Sequence, residues 1–266
     1  MYETFYGCVK TPFSRTIDAT DLYTPPVLKE IAGRLHYAAQ RQLFAVFTGE
    51  AGTGKTTTLR WFKEQLPPSK YQVFYLSDSK LTPRHFYKGL LEQIGCEAKF
   101  YRGDAKRQLH REIELMRGIH HIRPVVVVDE AHLLDREMLE EVRFLLNFQM
   151  DSMSPMTLIL AGQSELWDRL KLQSFAAIRQ RIDMVCRLSP LDRAQTEAYL
   201  RQHLLAAGTD RDIFSEKALD AIYTYSGGIA RLINKAATNA LIYGAQTQKP
   251  IIDEHMVSLV ISGEVA

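Results

Sequence analysis

Cysteine is scarce in this 266-residue chain: Cys8, Cys96 and Cys186 are odd in number and far apart. They form neither a disulfide framework nor a CxxC metal or redox pair, which fits a reducing, cytoplasmic setting. No apolar run approaches the ~18 residues of a membrane span. The opening MYETFYGCVKTPFSRTIDATD also lacks a basic stretch followed by an apolar one. No insertion into a bilayer is expected. An excess of one charge is lacking too, since thirty-three Lys and Arg stand against thirty-one Asp and Glu. Any basic surface for nucleic acid must therefore be local. What the chain does have is 46% hydrophobic and 24% charged residues, the proportions of a folded soluble protein with length for one or two domains.

Short β-branched or aromatic runs at 43–48, 71–76, 125–129, 157–161 and 183–188 alternate with helical stretches. That alternation predicts an α/β fold with a parallel five-stranded sheet. Past Pro190 the strand-like runs stop, and 192–208, 215–225 and 229–244 read as helices. The expected organisation is an N-terminal segment, 1–42, packed on the core, an α/β domain at 43–190 and a helical domain at 191–266. A helix is expected through roughly 27–41, and a last short one after the loop at 249–252.

Directly after LFAVFT comes Gly49-Glu50-Ala51-Gly52-Thr53-Gly54-Lys55-Thr56, with Thr57 opening a helical stretch to 66. This is GxxxxGK[ST] with a strand before it and a helix after it, the setting of a P-loop. Its glycines let backbone N–H groups close around phosphate oxygens, the helix N-terminus adds its positive end, and Lys55 brings a charge to the β and γ phosphates. Thr56 is the expected Mg2+ ligand. Further on, Pro124 and four valines run into Asp129-Glu130, a buried strand ending in two acids at the edge where α/β sheets bind ligands. Asp129 is placed to hold Mg2+, and Glu130 to polarise the water that attacks the γ-phosphate. His132, two positions on, reads as a polar residue of a first helical turn. The run at 158–161 ends in Gly162-Gln163, where Gln163 is the candidate to hold the attacking water or γ-phosphate. The alternative is a plain polar helix start.

At this point the chain resembles the AAA+ ATPases, and within them the ExeA-like group that includes transposition helpers such as TniB and TnsC. The likeness runs through GEAGTGKTT, VVVVDEAHLL, LILAGQSEL, IRQRI and SGGIARLIN, together with an opening that holds Tyr2, Phe5, Tyr6, Gly7, Pro12 and Phe13. It implies an ATPase core with a smaller helical lid, nucleotide between them, and assembly into a ring or helical filament. It also implies that Arg181 is the finger reaching a neighbour's γ-phosphate, with Arg179 a second candidate, and that Arg231 is the lid arginine acting in cis. Gln163 departs from the Asn or Thr usual at its position.

Between Glu97 and Arg123, seven Lys or Arg against four acids give a local +3, interleaved with Phe100 and Tyr101. Lys99, Arg102, Lys106, Arg107 and Arg111 are the candidate contacts to duplex DNA, with a solvated helix face as the bland alternative. The favoured reading is an ATPase that uses ATP and Mg2+ to assemble on DNA and recruit or activate a transposase. The alternative is a cytoplasmic ATPase powering secretion or envelope assembly through protein partners, and the want of a membrane segment tips the expectation toward the first. A nucleotide-gated switch with an idle Glu130 is a third possibility.

Overall fold

The computed structural model describes residues 2–14, 16–78, 81–145 and 154–263. Five parallel strands, β1 (Phe44–Gly49), β2 (Tyr71–Leu76), β3 (Arg123–Val128), β4 (Thr157–Gly162) and β5 (Met184–Leu188), form one sheet in the order β2-β3-β4-β1-β5. Strands covered on both faces need no alternation of polar and apolar residues. Accordingly every residue of β1 and β4 is buried, as is all of β3 except Arg123, while β2 and β5 at the edges are only partly covered.

The register positions the chemistry. Thr48 lies opposite Gly162, Val128 opposite Leu160, and Leu76 opposite Val128. The residues that follow β1, β3 and β4 thus emerge at one edge of the sheet. In space β4 is inserted between the P-loop strand and the strand ending in two acids.

Two compact units divide the chain, one of Leu28–Gly49 and Lys55–Leu188, the other of Met1–Val27, Glu50–Gly54 and Ser189–Ala266. Among the described residues the chain forms twelve α-helices. The first unit carries the sheet with α2 (Pro26–Arg41), α3 (Lys55–Gln65), α4 (Pro83–Ile94), α5 (Arg102–Gly118), α6 (Arg136–Leu145), α7 (Ser164–Lys171) and α8 (Ala176–Arg179); α1 (Tyr2–Tyr6) belongs to the other unit. Apolar residues at three- and four-residue spacing face the core, as Ala105, Leu109, Ile113 and Met116 do on α5. On α4, Thr82 accepts from the His85 N–H, Pro83 occupies the first turn, and Gly95 closes the helix at φ 94°.

The second unit is helical: α1, α9 (Arg193–Ala206), α10 (Glu216–Ser226), α11 (Ala230–Gln246) and α12 (Glu254–Ser262). Asp192 and Gln195 form a reciprocal capping box at the start of α9. Gly228, at φ +77°, admits no side chain, because a Cβ there would lie 1.8 Å from the Leu191 carbonyl oxygen.

The residues of the expected N-terminal segment, 1–42, are shared between the two units. Tyr6 and Phe13 are buried in the helical core, Tyr6 donates to the Lys249 carbonyl at 2.9 Å, and the Val9 N–H donates to the Ala207 carbonyl at 2.7 Å. Only from Leu28 does the chain join the sheet unit, where Arg34 donates to the Val185 carbonyl at 3.3 Å and His36 contacts Gln65 at 2.8 Å. The loop Glu50–Gly54 likewise groups with the helices rather than the sheet.

Candidate active site

The chain leaves β1 at Gly49 and enters α3 at Lys55. Between them Gly52 and Gly54 take φ values of +86° and +102°, a left-handed backbone that side chains oppose. Gly52 is doubly required: a Cβ there would stand 2.9 Å from the Arg231 Cβ and 3.0 Å from the Ile229 Cγ2. The Arg231 N–H donates to the Gly52 carbonyl at 3.0 Å, so the start of α11 is packed directly on the loop. Ala51 and Glu50 sit at the exposed tip of the turn, and Thr53 closes it by donating from its hydroxyl to the Glu50 carbonyl at 2.8 Å. Within the sheet unit, the buried Lys55 ammonium donates to the Gly49 carbonyl at 2.9 Å, and Thr57 follows in the first turn of α3.

Asp129, buried just past β3, is the most fully engaged carboxylate of the site. Its Oδ2 accepts from the Thr56 hydroxyl at 2.9 Å and from the Tyr75 hydroxyl at 2.6 Å, and its Oδ1 from the Glu130 N–H at 2.8 Å. Burial, together with the hydrogen bond to Asp129, pushes the Tyr75 phenol well above the ordinary tyrosine range. Sequence reasoning passed over Tyr75; its signal was a polar-tipped residue near the C-terminal end of the strand beside β3. The Thr56 hydroxyl and Asp129 carboxylate are hard oxygen donors and fit Mg2+, which takes one or two protein oxygens together with phosphates. Among the described residues no group of three or more His, Cys, Asp or Glu makes a metal cage by itself.

Glu130 is a non-glycine residue at φ 52°, with its side chain half exposed. Such a conformation is strained and persists only where surroundings impose it. Its Oε2 lies 3.5 Å from Nδ1 of His132. The other ring nitrogen of His132, Nε2, lies 3.0 Å from Nε2 of Gln163. Gln163 stands at the start of α7 but makes no side-chain cap, so its amide serves the His132 contact instead. His132 lies in a single helical turn, Ala131–Leu133, as the sequence reading has it, with a ring only 6% exposed whose Nδ1 accepts from the Gln163 backbone N–H at 3.5 Å.

Arg179 is held at home: its guanidinium donates to the Lys171 carbonyl and, at 3.5 Å, to the Leu170 carbonyl, satisfying the end of α7. Arg181 is half-buried in the turn between α8 and β5, its N–H on the Ile178 carbonyl at 2.9 Å.

The basic segment changes character. Arg102 pairs with Glu137 at 2.6 Å and with Glu141, Lys106 pairs with Glu141 at 3.1 Å, and Arg107 pairs with Asp104. Adding these two acids of α6 reduces the local +3 to +1. Lys99 and Arg111 remain exposed.

A parallel sheet in this strand order, with a GxxxxGKT loop at one strand end and an acid pair at another, defines a P-loop nucleoside triphosphatase of the AAA kind. Residues 38–170 match the family model described as an AAA domain, and the chain belongs to that family. It is 34% identical over 250 residues to General secretion pathway protein A of Aeromonas hydrophila, a match covering 91% of this chain and 44% of that protein. The chain thus spans less than half the length of this curated relative. In fold it is similar to Cdc6p from Pyrobaculum aerophilum, with TM-score 0.67 and 19% identity over 90% of this chain and 67% of that one. It is also similar to the RuvB Holliday junction branch migration motor of Thermotoga maritima, with TM-score 0.61 and 17% identity over 91% of this chain and 70% of that one. Among the described residues no helix is long and apolar enough to cross a membrane.

Proposed function

We propose that this chain is a Mg2+-dependent ATPase that works as a homo-oligomer, on the cytoplasmic side, through protein partners of a secretion or envelope-assembly system. The hydrogen bond that joins Thr56 of the P-loop helix to Asp129 carries the ATPase reading. The likeness to General secretion pathway protein A supports secretion over transposition. That match spans 44% of the relative, so the want of an apolar span in these residues does not separate the two.

Loop N–H groups between Glu50 and Gly54 bind phosphate oxygens, and Lys55 adds positive charge at the β and γ phosphates. Thr56 and Asp129 hold Mg2+, which when bound neutralises phosphate charge. Glu130 takes a proton from the attacking water, Gln163 orients that water or the γ-phosphate, and Arg231 contacts the phosphate from the lid. Lys55→Ala is expected to weaken binding of a labelled ATP analogue. Glu130→Gln is expected to bind ATP with near wild-type affinity and to lose turnover by ~10²–10⁴-fold. Equal affinity loss in both variants, or wild-type turnover in Glu130→Gln, would count against the assignment.

A second reading, ATP-dependent assembly on duplex DNA with recruitment of a transposase, draws support from the exposed pair Phe100 and Tyr101 beside the exposed Lys99, with Arg84 lying 4.4 Å over the Phe100 ring. Its test is cooperative DNA binding that needs an ATP analogue and weakens steeply with salt. Removing Lys99 and Arg111 should flatten that salt slope, and an unchanged slope would clear both residues.

A further inference from the structure

Tyr75 stands in neither of the motifs that carry the site, yet it reaches the carboxylate assigned to Mg2+. Its neighbours Phe74 and Leu76 are buried, and the alternation of a strand turns Tyr75 to the opposite face of β2. In register it lies opposite Val127, two residues short of Asp129. Two residues of strand advance ~7 Å, a distance that a tyrosine side chain spans and a serine or threonine does not. The phenol therefore meets Oδ2 of Asp129, at 2.6 Å. The backbone of Tyr75 is fixed as well. β2 is an edge strand, and Gln93 of α4 takes both open groups of Tyr75, accepting from its N–H at 3.2 Å and donating to its carbonyl at 3.0 Å.

An ionised carboxylate offers about four lone-pair sites. On Asp129 three donors take three of them, Thr56 and Tyr75 on Oδ2 and the Glu130 N–H on Oδ1. Held at both oxygens, the group cannot turn about its Cβ–Cγ bond without breaking one of these bonds. The donors are not equivalent. Thr56 is itself assigned to Mg2+, so its hydroxyl answers to the cation. The Glu130 N–H belongs to the residue assigned as base, in a strained left-handed backbone. Tyr75 has no other duty in the site, and it comes from β2, an element apart from both motifs.

We infer that Tyr75 is a positioning residue: its phenol holds Asp129 turned toward Thr56, so that hydroxyl and carboxylate receive Mg2+ as a preformed pair. The inference rests on the ATPase reading of this site. Tyr75 touches neither nucleotide nor cation in it; it acts through Asp129.

The test uses the full chain and Mn2+ as the probe, its binding followed by EPR in the presence of a non-hydrolysable ATP analogue. Tyr75→Phe, which keeps the ring and loses only the hydroxyl, should weaken Mn2+ by about 10-fold or more, the range seen when the partner orienting a metal ligand is lost. Affinity for a labelled analogue in EDTA should stay within about twofold of wild type, because the loop N–H groups grip phosphate without the cation. In ATPase assays the Mg2+ concentration for half-maximal rate should rise by the same factor, while kcat at saturating Mg2+ recovers to within about threefold of wild type. In an Asp129→Ala background Tyr75→Phe should add little to the loss of Mn2+ binding, because the phenol has no carboxylate left to hold. Wild-type Mn2+ affinity in Tyr75→Phe, or an undiminished effect of that substitution in Asp129→Ala, would overturn the inference. So would tighter Mn2+ binding, the mark of a phenol that competes with the cation for Oδ2. An equal loss of analogue affinity in EDTA would also overturn it, by marking a merely structural role. A wild-type protein that binds Mn2+ and analogue but turns over no ATP would defeat the ATPase reading instead, and the EPR titration would still decide the role of Tyr75.

Discussion

His203 of α9 packs its ring 4.2 Å from Tyr199 and 5.5 Å from Phe13, and its Nε2 meets no hydrogen-bond partner among the described residues. Burial lowers its pKa from the ordinary 6.5 to about 4. Between those values the unfolded chain binds a proton that the folded one refuses, so stability rises with pH across that window and is lost as pH falls through it. Urea unfolding should show about 2 kcal/mol less stability at pH 5 than at pH 7 from this group. His203→Leu should remove that part of the pH dependence, and an equal dependence in the variant would assign it elsewhere. Gly228 makes a sharper residue-scale case. Gly228→Ala forces a Cβ onto the Leu191 carbonyl at 1.8 Å in a left-handed backbone, and a loss above about 3 kcal/mol in the same assay is expected.

Between elements, the buried Glu141 of α6 gathers α4 and α5 around it by accepting from Tyr87, Arg102 and Lys106. Burial alone would raise its carboxyl; those three hydrogen bonds outweigh it and hold the group below the usual range. Glu141→Ala strands the buried Tyr87 hydroxyl and should cost about 2–4 kcal/mol in urea unfolding. Lys99→Ala and Arg111→Ala, at exposed positions, should stay within about 0.5 kcal/mol of wild type. A comparable loss at all three positions would contradict this division of the basic segment. The sequence could show seven cations against four acids there, but not that α6 brings further carboxylates, because the Lys106–Glu141 pair spans 35 positions. The same limit hid the partners of Tyr75 and His132, which lie 54 and 31 residues away. What was legible was local. All five strands follow from β-branched runs, and observed ends differ from the expected ones by two residues at most. The helix after the P-loop begins at Lys55, two residues early, because Gly54 turns straight into it.

For the whole molecule, the proposed homo-oligomer predicts an active site completed by a neighbour. With Arg179 committed to the end of α7, Arg181 is the finger to test, and Arg181→Ala should lower kcat by about 10³-fold or more. Mixing Arg181→Ala subunits with Lys55→Ala subunits should restore part of the ATPase activity at joint interfaces. Absence of rescue in subunits shown by crosslinking to co-assemble would remove the trans role.

The loop Glu50–Gly54 groups with the helices through Gly52 and Arg231 rather than with the sheet from which it springs. If ATP engages that loop, phosphate grip and the packing of α11 on it become one thermodynamic variable, and linkage makes their coupling reciprocal. A partner that fastens to α9–α12 and prefers the ATP-loaded form tenfold must then tighten ATP tenfold in return. Recruitment and fuelling become two readings of the same equilibrium, so a partner's binding site can be mapped by its effect on nucleotide affinity alone.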